Sequence, residues 1–137
     1  MNAIANLSPQ IVWKNFYDLT QIPRPSKFEL EAAKYICDFG KNLGLESFQD
    51  EVGNVIIRKP ATPGMEDRMG IILQAHIDMV PQKNNDVEHD FKKDPIKPRI
   101  VDNMVYATGT TLGADNGLGC AVAMAVLEQK DLVHGPI

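Results

Sequence analysis

Apolar and polar positions follow a helical spacing in the first third of this chain. Val12, Phe16 and Leu19 recur at intervals of four and three residues, which predicts an amphipathic helix near the N-terminus. Ser8 and Pro9 precede this run, in the manner of an N-cap and a first helical residue. We therefore expect the first helix to begin at Pro9.

A second helical pattern runs from Ala32 to Leu43, where apolar residues again recur every three or four positions. Ser26 and Glu29 have the spacing of a capping box, in which each side chain satisfies a free backbone N–H group at the start of a helix. Gly44 follows the last apolar position and is typical of a helix end. These signals predict a helix from Ser26 to Gly44.

Strand spacing and turn pairs characterise two short regions further along the chain. Gly53 and Asn54 suit a tight turn with positive φ, and the pair 102–103 suits a second one. Each pair lies between two short apolar runs, so we expect antiparallel hairpins. The predicted strands are residues 48–52 with 55–58, and residues 99–101 with 104–106.

The remaining elements complete an alternating order of helices and strands. A continuous apolar run at residues 70–75 predicts a buried strand. Residues 81–98 are polar and charged and contain three prolines, so we expect a surface excursion. Residues 116–129 contain many glycines and alanines, which favours a helix packed closely on a sheet. This order predicts an α/β fold at single-domain size.

Composition and charge exclude several functional classes. The net charge of −4 is spread over charges of both signs, and no basic cluster of the kind that binds nucleic acid is present. We find no signal-peptide pattern and no apolar stretch long enough to cross a bilayer, so we expect a cytoplasmic protein. Cys37 and Cys120 fall at apolar helical positions and are expected to be reduced core residues.

Candidate chemistry lies at the ends of two predicted apolar elements. His76 and Asp78 follow the run at 70–75, and Asp115 lies in a glycine-flanked turn before the last helix. Polar groups gather at such strand ends in α/β folds, and imidazole and carboxylate are sound ligands for Zn²⁺ or a similar divalent ion. The three residues together favour a metal site with two direct ligands, His76 and Asp115.

Each of these motifs also has a plain structural explanation. A His-x-Asp triplet arises easily by chance, and Asp or Asn in a glycine turn often only caps a helix. The conjunction of the two motifs favours the metal site. His89 lies in the polar excursion and is expected to be solvated, and His134 beside Gly135 is expected to be structural.

Four segments resemble the N-terminal part of the bacterial aminoacyl-histidine dipeptidases, also called Xaa-His dipeptidases or peptidase D. This family belongs to the carboxypeptidase-G-like superfamily of dinuclear metallopeptidases. The His-x-Asp and Gly-x-Asp-Asn-Gly motifs mark the superfamily, and the extensions around them point to the histidine-dipeptidase branch. The resemblance covers essentially the whole chain and rests on residues 22–26, 50–55, 73–84 and 109–117.

The resemblance implies a role for each candidate residue. His76 matches the first metal-binding imidazole, and Asp115 matches the carboxylate that bridges the two ions. Asp78 matches the catalytic-site carboxylate that orients the ligand histidine. The implied cofactors are two divalent ions, Zn²⁺ in the first place, with Co²⁺ and Mn²⁺ as alternatives. Family members also have a non-proline cis peptide bond after the bridging Asp, here between Asp115 and Asn116.

The resemblance further implies a three-layer α/β/α zinc-peptidase-like catalytic domain, of which residues 1–137 would be the N-terminal portion. The intact protein would be a homodimeric dipeptidase that hydrolyses Xaa-His dipeptides with a metal-activated water and a Glu as proton shuttle. That Glu, the remaining ligands and the lid domain fall outside this sequence. The 137 residues alone are therefore expected to be inactive. The alternatives are an aminoacylase, carboxypeptidase or aminopeptidase of the same superfamily, and a non-catalytic binding module.

Overall fold

The computed structural model describes residues 3–137 and contains both helices and short hairpins, which agrees with the predicted α/β class. The predicted alternation is wrong, because the two hairpins follow each other directly between the second and the third α-helix. The helices are a 3₁₀-helix at Ala3–Asn6, α1 at Gln10–Thr20, α2 at Leu30–Asn42 and α3 at Ala114–Glu128. The strands are β1 at Glu46–Gln49, β2 at Val55–Arg58, β3 at Pro98–Val101 and β4 at Met104–Ala107.

The core lies between α1 and α3. Phe16 and Leu19 of α1 are fully buried, on the face that the apolar spacing predicts. They pack with Ala121 and Met124 of α3, whose small residues let the two helices approach closely. Cys37 and Cys120 are buried free thiols, as expected. The helix α3 predicted at residues 116–129 is confirmed to within two residues.

Both predicted helix starts are wrong in detail. The helix α1 begins at Gln10, one residue later than expected, and Ser8 makes no capping hydrogen bond to it. The helix α2 begins at Leu30 with Glu29 as the residue before it, again without a side-chain cap. Ser26 cannot serve in a capping box because its hydroxyl donates to Asp78 instead. The predicted end of α2 is confirmed, since Gly44 has φ +76°.

Two antiparallel hairpins form the regular β structure. The pairing of β3 with β4 is confirmed, with positive φ at Asp102 and Asn103 in the turn. In the first hairpin β1 ends at Gln49, not at residue 52, and a longer turn connects it to β2. The Asp50 carboxylate causes this difference, because it accepts hydrogen bonds from the backbone N–H groups of Val52 and Asn54 and so removes residues 50–54 from the ladder.

The segment at residues 70–75 is extended but is not the buried strand that we expected. Ile72 is 92% exposed and Ile71 is 51% exposed. Within residues 3–137, this segment forms no regular strand pairing, and its contact with the C-terminal residues is a hydrogen bond from the Ile71 N–H group to the Pro136 carbonyl at 3.0 Å. The apolar sequence is typical of a strand with neighbours on both sides, and here one side is open.

An open apolar groove accounts for this exposure. It lies between β2 and residues 70–77, beside α2 and α3, is open to solvent on one side and has a volume of about 1420 Å³. One end of the groove reaches His76 and Asp78. Its apolar lining includes Ile36, Ile57, Ile71, Leu73, Met124 and Leu127.

No helix in the described residues is long and apolar enough to span a membrane.

Candidate metal and active site

The structure brings His76, Asp78 and Asp115 together at the end of the extended segment. The Nε2 atom of His76 lies 3.0 Å from Oδ1 of Asp115, although the two residues are 39 positions apart. The Nδ1 atom lies 3.0 Å from Oδ1 of Asp78. Cys120 of α3 fixes the backbone below, because its thiol donates to the His76 carbonyl at 3.3 Å. Each ring nitrogen of His76 therefore faces one carboxylate.

Asp115 lies in an irregular turn at the start of α3. Its φ and ψ are −93° and 103°, and the peptide bond between Asp115 and Asn116 is cis, as the resemblance implies. The Asn116 side chain accepts the Gly119 N–H at 3.0 Å, which satisfies one of the free donors at the helix start. The Asp115 side chain is 96% exposed, so its carboxylate is accessible to an ion or a substrate.

Hydrogen bonding sets the protonation of the site. The bond to Asp115, followed by the bonds to Asp78, raises the pKa of His76 above its usual value near 6.5. The Ser26 hydroxyl, followed by His76, lowers the pKa of Asp78 below 3.8. If His76 were a metal ligand, Nδ1–H could still donate to Asp78, and this hydrogen bond would fix the tautomer that a ligand histidine needs.

Two residues that support this site were missed by sequence reasoning. Ser26 donates its hydroxyl to Oδ2 of Asp78 at 2.5 Å. Arg24 is 1% exposed and donates to the carbonyls of Leu19, Ile77 and Gly113. Arg24 lies between two prolines, and in the sequence this stretch indicates only that a helix does not continue through it. No local periodicity signals that its arginine is buried.

The donor set fits part of a metal site. His76 offers a nitrogen and Asp115 a carboxylate, both preferred by Zn²⁺, and Asp78 stands behind the imidazole as outer partners of ligand histidines do. However, no group of three or more His, Cys, Asp or Glu side chains is arranged to hold an ion within residues 3–137.

The other histidines do not join the site. His89 was expected to be a solvated side chain rather than a ligand. It is half-buried instead, because its ring packs on Phe91 with centroids 4.4 Å apart and its Nε2 is shielded from solvent. His134 is structural, as expected. Its backbone N–H donates to the Thr62 hydroxyl at 3.0 Å, and its ring nitrogen Nδ1 lies 2.8 Å from the carbonyl of Gly135.

Solved structures with a similar fold include two peptidases. The fold matches an aminopeptidase PepT from Bacillus cereus with a TM-score of 0.74 and 27% identity, over 95% of this chain and 35% of that chain. A tripeptidase from Staphylococcus aureus shares the fold with the same TM-score at 23% identity, over 95% of this chain and 35% of that one. No family model matches the sequence.

More specific matches are dipeptidases. The crystal structure of aminoacylhistidine dipeptidase from Vibrio alginolyticus matches with a TM-score of 0.96 and 52% identity, over 98% of this chain and 28% of that chain. The cytosol non-specific dipeptidase of Escherichia coli (strain K12) is 54% identical over all 137 residues. The chain spans only 28% of that protein's length and corresponds to its N-terminal part.

Proposed function

We propose that this chain is the N-terminal portion of the catalytic domain of a metal-dependent dipeptidase. The observation that carries the proposal is the contact of His76 Nε2 with the Asp115 carboxylate at 3.0 Å, in a chain 54% identical over its whole length to a dipeptidase. A binding module would need neither an exposed carboxylate facing an imidazole nor a second carboxylate behind that imidazole. These features suit hydrolysis.

Each candidate residue of this chain would have its own role in the site. His76 and Asp115 would be direct ligands of two divalent ions, Zn²⁺ or alternatively Co²⁺ or Mn²⁺, with Asp115 between the ions. Asp78 would hold the His76 ring in the ligand tautomer through Nδ1. When bound, the ions supply Lewis-acid activation of the scissile carbonyl and of the attacking water. The proton shuttle would be contributed by a residue outside this sequence.

The open groove supports the proposal that the domain extends beyond residue 137. Lys59 and Ile137 exchange both backbone hydrogen bonds, at 2.8 and 3.0 Å, and the Thr62 N–H donates to the His134 carbonyl. This is an antiparallel register. Residues that follow Ile137 in a longer protein would continue along β2 and enter the groove as a central strand.

The same strand would run parallel to residues 70–77. Gly135 lies beside Arg68 and Met69, and Pro136 lies beside Gly70, so the two segments advance in the same direction. Parallel strands present their carboxyl ends at one edge of a sheet, so the new strand would reach the level of His76 about five residues after Ile137. The remaining metal ligands and the general base would lie on residues of this strand or the loop after it, at that edge of the sheet. The isolated 137 residues would accordingly bind metal weakly and lack activity.

The substrate class is a short unblocked peptide. The names of the relatives differ in specificity, since one is a non-specific dipeptidase and the other an aminoacylhistidine dipeptidase. We propose that Xaa-His dipeptides are among the substrates. No described residue at the site is placed to recognise an imidazole, so selection of the second residue would depend on other parts of the protein. The intact enzyme would be a cytoplasmic homodimer without nucleic-acid or membrane partners.

A substrate panel tests this proposal against its alternatives. The purified full-length protein would be assayed with Ala-His, Ala-Leu, Ala-Ala-His and N-acetyl-histidine. A dipeptidase cleaves the first two and leaves the acylated amino acid intact. Preference for the tripeptide would indicate an aminopeptidase if Ala and Ala-His are the first products, and a carboxypeptidase if Ala-Ala and His are. Preference for N-acetyl-histidine would indicate an aminoacylase, and failure to cleave any of them a binding module.

A further inference from the structure

We propose that Arg24 is a positioning residue, whose buried guanidinium holds together the two backbone segments that carry His76 and Asp115. This inference rests on the proposed function for its catalytic consequence. The geometric part of the claim, that one cation sets the spacing of the two segments, is independent of that function.

The contacts of Arg24 converge on the two segments. Its Nη1 donates to the Ile77 carbonyl at 2.8 Å, one residue after His76, and its Nη2 donates to the Gly113 carbonyl at 2.8 Å, two residues before Asp115. Its Nε points to the Leu19 carbonyl at the end of α1. A single planar group therefore joins both segments to the helix that forms the core.

Backbone pairing reinforces the link to the His76 segment. The Met79 N–H donates to the Arg24 carbonyl at 3.0 Å, and the Ser26 N–H donates to the Met79 carbonyl at 3.2 Å. Arg24 therefore contacts the segment with both its main chain and its side chain. The same short pairing delivers the Ser26 hydroxyl to Asp78.

The turn before Asp115 is shaped around the guanidinium. A Cβ atom at Gly113 would lie 2.8 Å from Nη2 of Arg24, and one at Gly117 would lie 2.6 Å from it. The carbonyl of Gly113 accepts one hydrogen bond from Nη2 of Arg24 and another from the Gly117 N–H. The guanidinium and the first turn of α3 therefore share one acceptor. Two glycines thus give the guanidinium the space that a side chain would fill.

A carboxylate partner does not explain the burial of this cation. The ion pairs found in the described residues do not include Arg24, and its acceptors are neutral carbonyls. Burying a charge is costly unless its hydrogen bonds are satisfied, and a rigid fork satisfies several carbonyls at fixed angles. Lysine would keep the charge but could not span the two carbonyls in the same plane.

The test compares Arg24→Lys with Lys59→Met in the full-length protein. Lys59 is a matched control, because its ammonium also donates to backbone carbonyls, those of Val126 and Gln129 at the far end of α3. For Arg24→Lys we expect faster hydrogen–deuterium exchange in peptides covering residues 76–79 and 113–117, measured without metal. We also expect metal affinity and kcat to fall by about tenfold or more, while KM changes little. Lys59→Met should alter neither.

Gly117→Ala provides a second variant, whose Cβ would lie 2.6 Å from Nη2 of Arg24 and 3.2 Å from the Phe16 ring, so it displaces the guanidinium without removing it. Its informative readout is exchange in residues 76–79, which Gly117 does not contact among the Cβ neighbours described. Gly117→Ala should reproduce the exchange pattern of Arg24→Lys, and this outcome is informative even if Arg24→Lys folds poorly. Unchanged exchange in both segments for both variants would overturn the positioning role. Faster exchange in a protein that neither binds metal nor cleaves peptides would uphold the positioning role and refute the proposed function instead.

Discussion

Ser26 donates its hydroxyl to the Asp78 carboxylate at 2.5 Å, across 52 positions of sequence. The other oxygen of that carboxylate faces Nδ1 of His76 at 3.0 Å. Asp78 is thereby held from both sides, and the orientation of the His76 ring depends on a residue in the loop before α2. The site is built from three separate parts of the chain, and the buried Arg24 lies beneath two of them.

Replacing Ser26 by Ala should weaken the support of Asp78. Loss of one hydrogen bond to a partly exposed carboxylate should cost about 1 kcal/mol, or about fivefold in kcat/KM of the full-length enzyme. Ser47→Ala is the control, because that hydroxyl donates to the Leu45 carbonyl and to no other acceptor among residues 3–137. Steady-state kinetics with Ala-His measure kcat/KM for both variants. Equal effects of the two substitutions would contradict the role of Ser26.

Asp78 and Asp115 should differ when each is replaced in the full-length enzyme. Asp78→Asn should lower turnover by about tenfold to a hundredfold while a measurable metal stoichiometry remains, because Asp78 only orients the ligand. Asp115→Ala should empty or unbalance the proposed dinuclear site. Metal analysis of the purified variants measures both effects. Equal metal loss in the two variants would mean that Asp78 is itself a ligand or is required for the local fold of the site.

The Asp50 turn should make a pH-dependent contribution to stability. The Asn54 side-chain amide, followed by the backbone N–H groups of Asn54, Val52 and Gly53, lowers the pKa of Asp50 below its ordinary value of 3.8. A lowered folded-state pKa adds stability above pH 3.8, and this contribution is lost as pH falls through the folded-state pKa. Asp50→Asn should therefore be less stable than wild type near pH 7, with the difference shrinking towards pH 3.

Denaturant unfolding of both full-length proteins across this pH range measures the difference. Asp102→Asn is the control, because Asp102 also lies in a hairpin turn but has no comparable set of hydrogen bonds to its carboxylate among the described contacts. A stability difference for Asp50→Asn that does not vary with pH would contradict this assignment.

The loop at residues 83–85 should affect substrate affinity but not specificity. Asn84 N–H donates to the Gly109 carbonyl at 2.9 Å, and Lys83 pairs with Thr110, so the loop borders the segment that leads to Asp115. Changing Lys83, Asn84 and Asn85 to Ala should alter KM modestly. Competition kinetics with Ala-His and Ala-Leu should give an unchanged preference, and a reversal would assign specificity to this loop.

The sequence predicted the elements better than their ends and partners. Apolar spacing identified the buried face of α1 and the extent of α3, because these depend on local periodicity. It missed the true role of Ser26, because a hydroxyl that caps a helix and one that supports a distant carboxylate have the same local signature. It also predicted burial for residues 70–75, where burial depends on a neighbouring strand and not on the segment itself.

In the candidate site, too, residues carried by local motifs could be predicted from the sequence, and residues defined by distant contacts could not. His76, Asp78 and Asp115 are visible in sequence because short motifs at element ends carry them, and the structure brings them within hydrogen-bond distance. Arg24 was not visible, because its importance depends on carbonyls that are 53 and 89 positions away. Long-range contacts of backbone acceptors leave no pattern in a single sequence.

Metal removal and restoration in the full-length protein tests the central claim most directly. The protein would be dialysed against a chelator, its metal content measured, and its hydrolysis of Ala-His followed before and after Zn²⁺ is added back. We predict that activity falls with metal content and returns with Zn²⁺ in wild type, but does not return in Asp115→Ala. Full turnover at negligible metal content, or complete recovery in Asp115→Ala, would contradict the account.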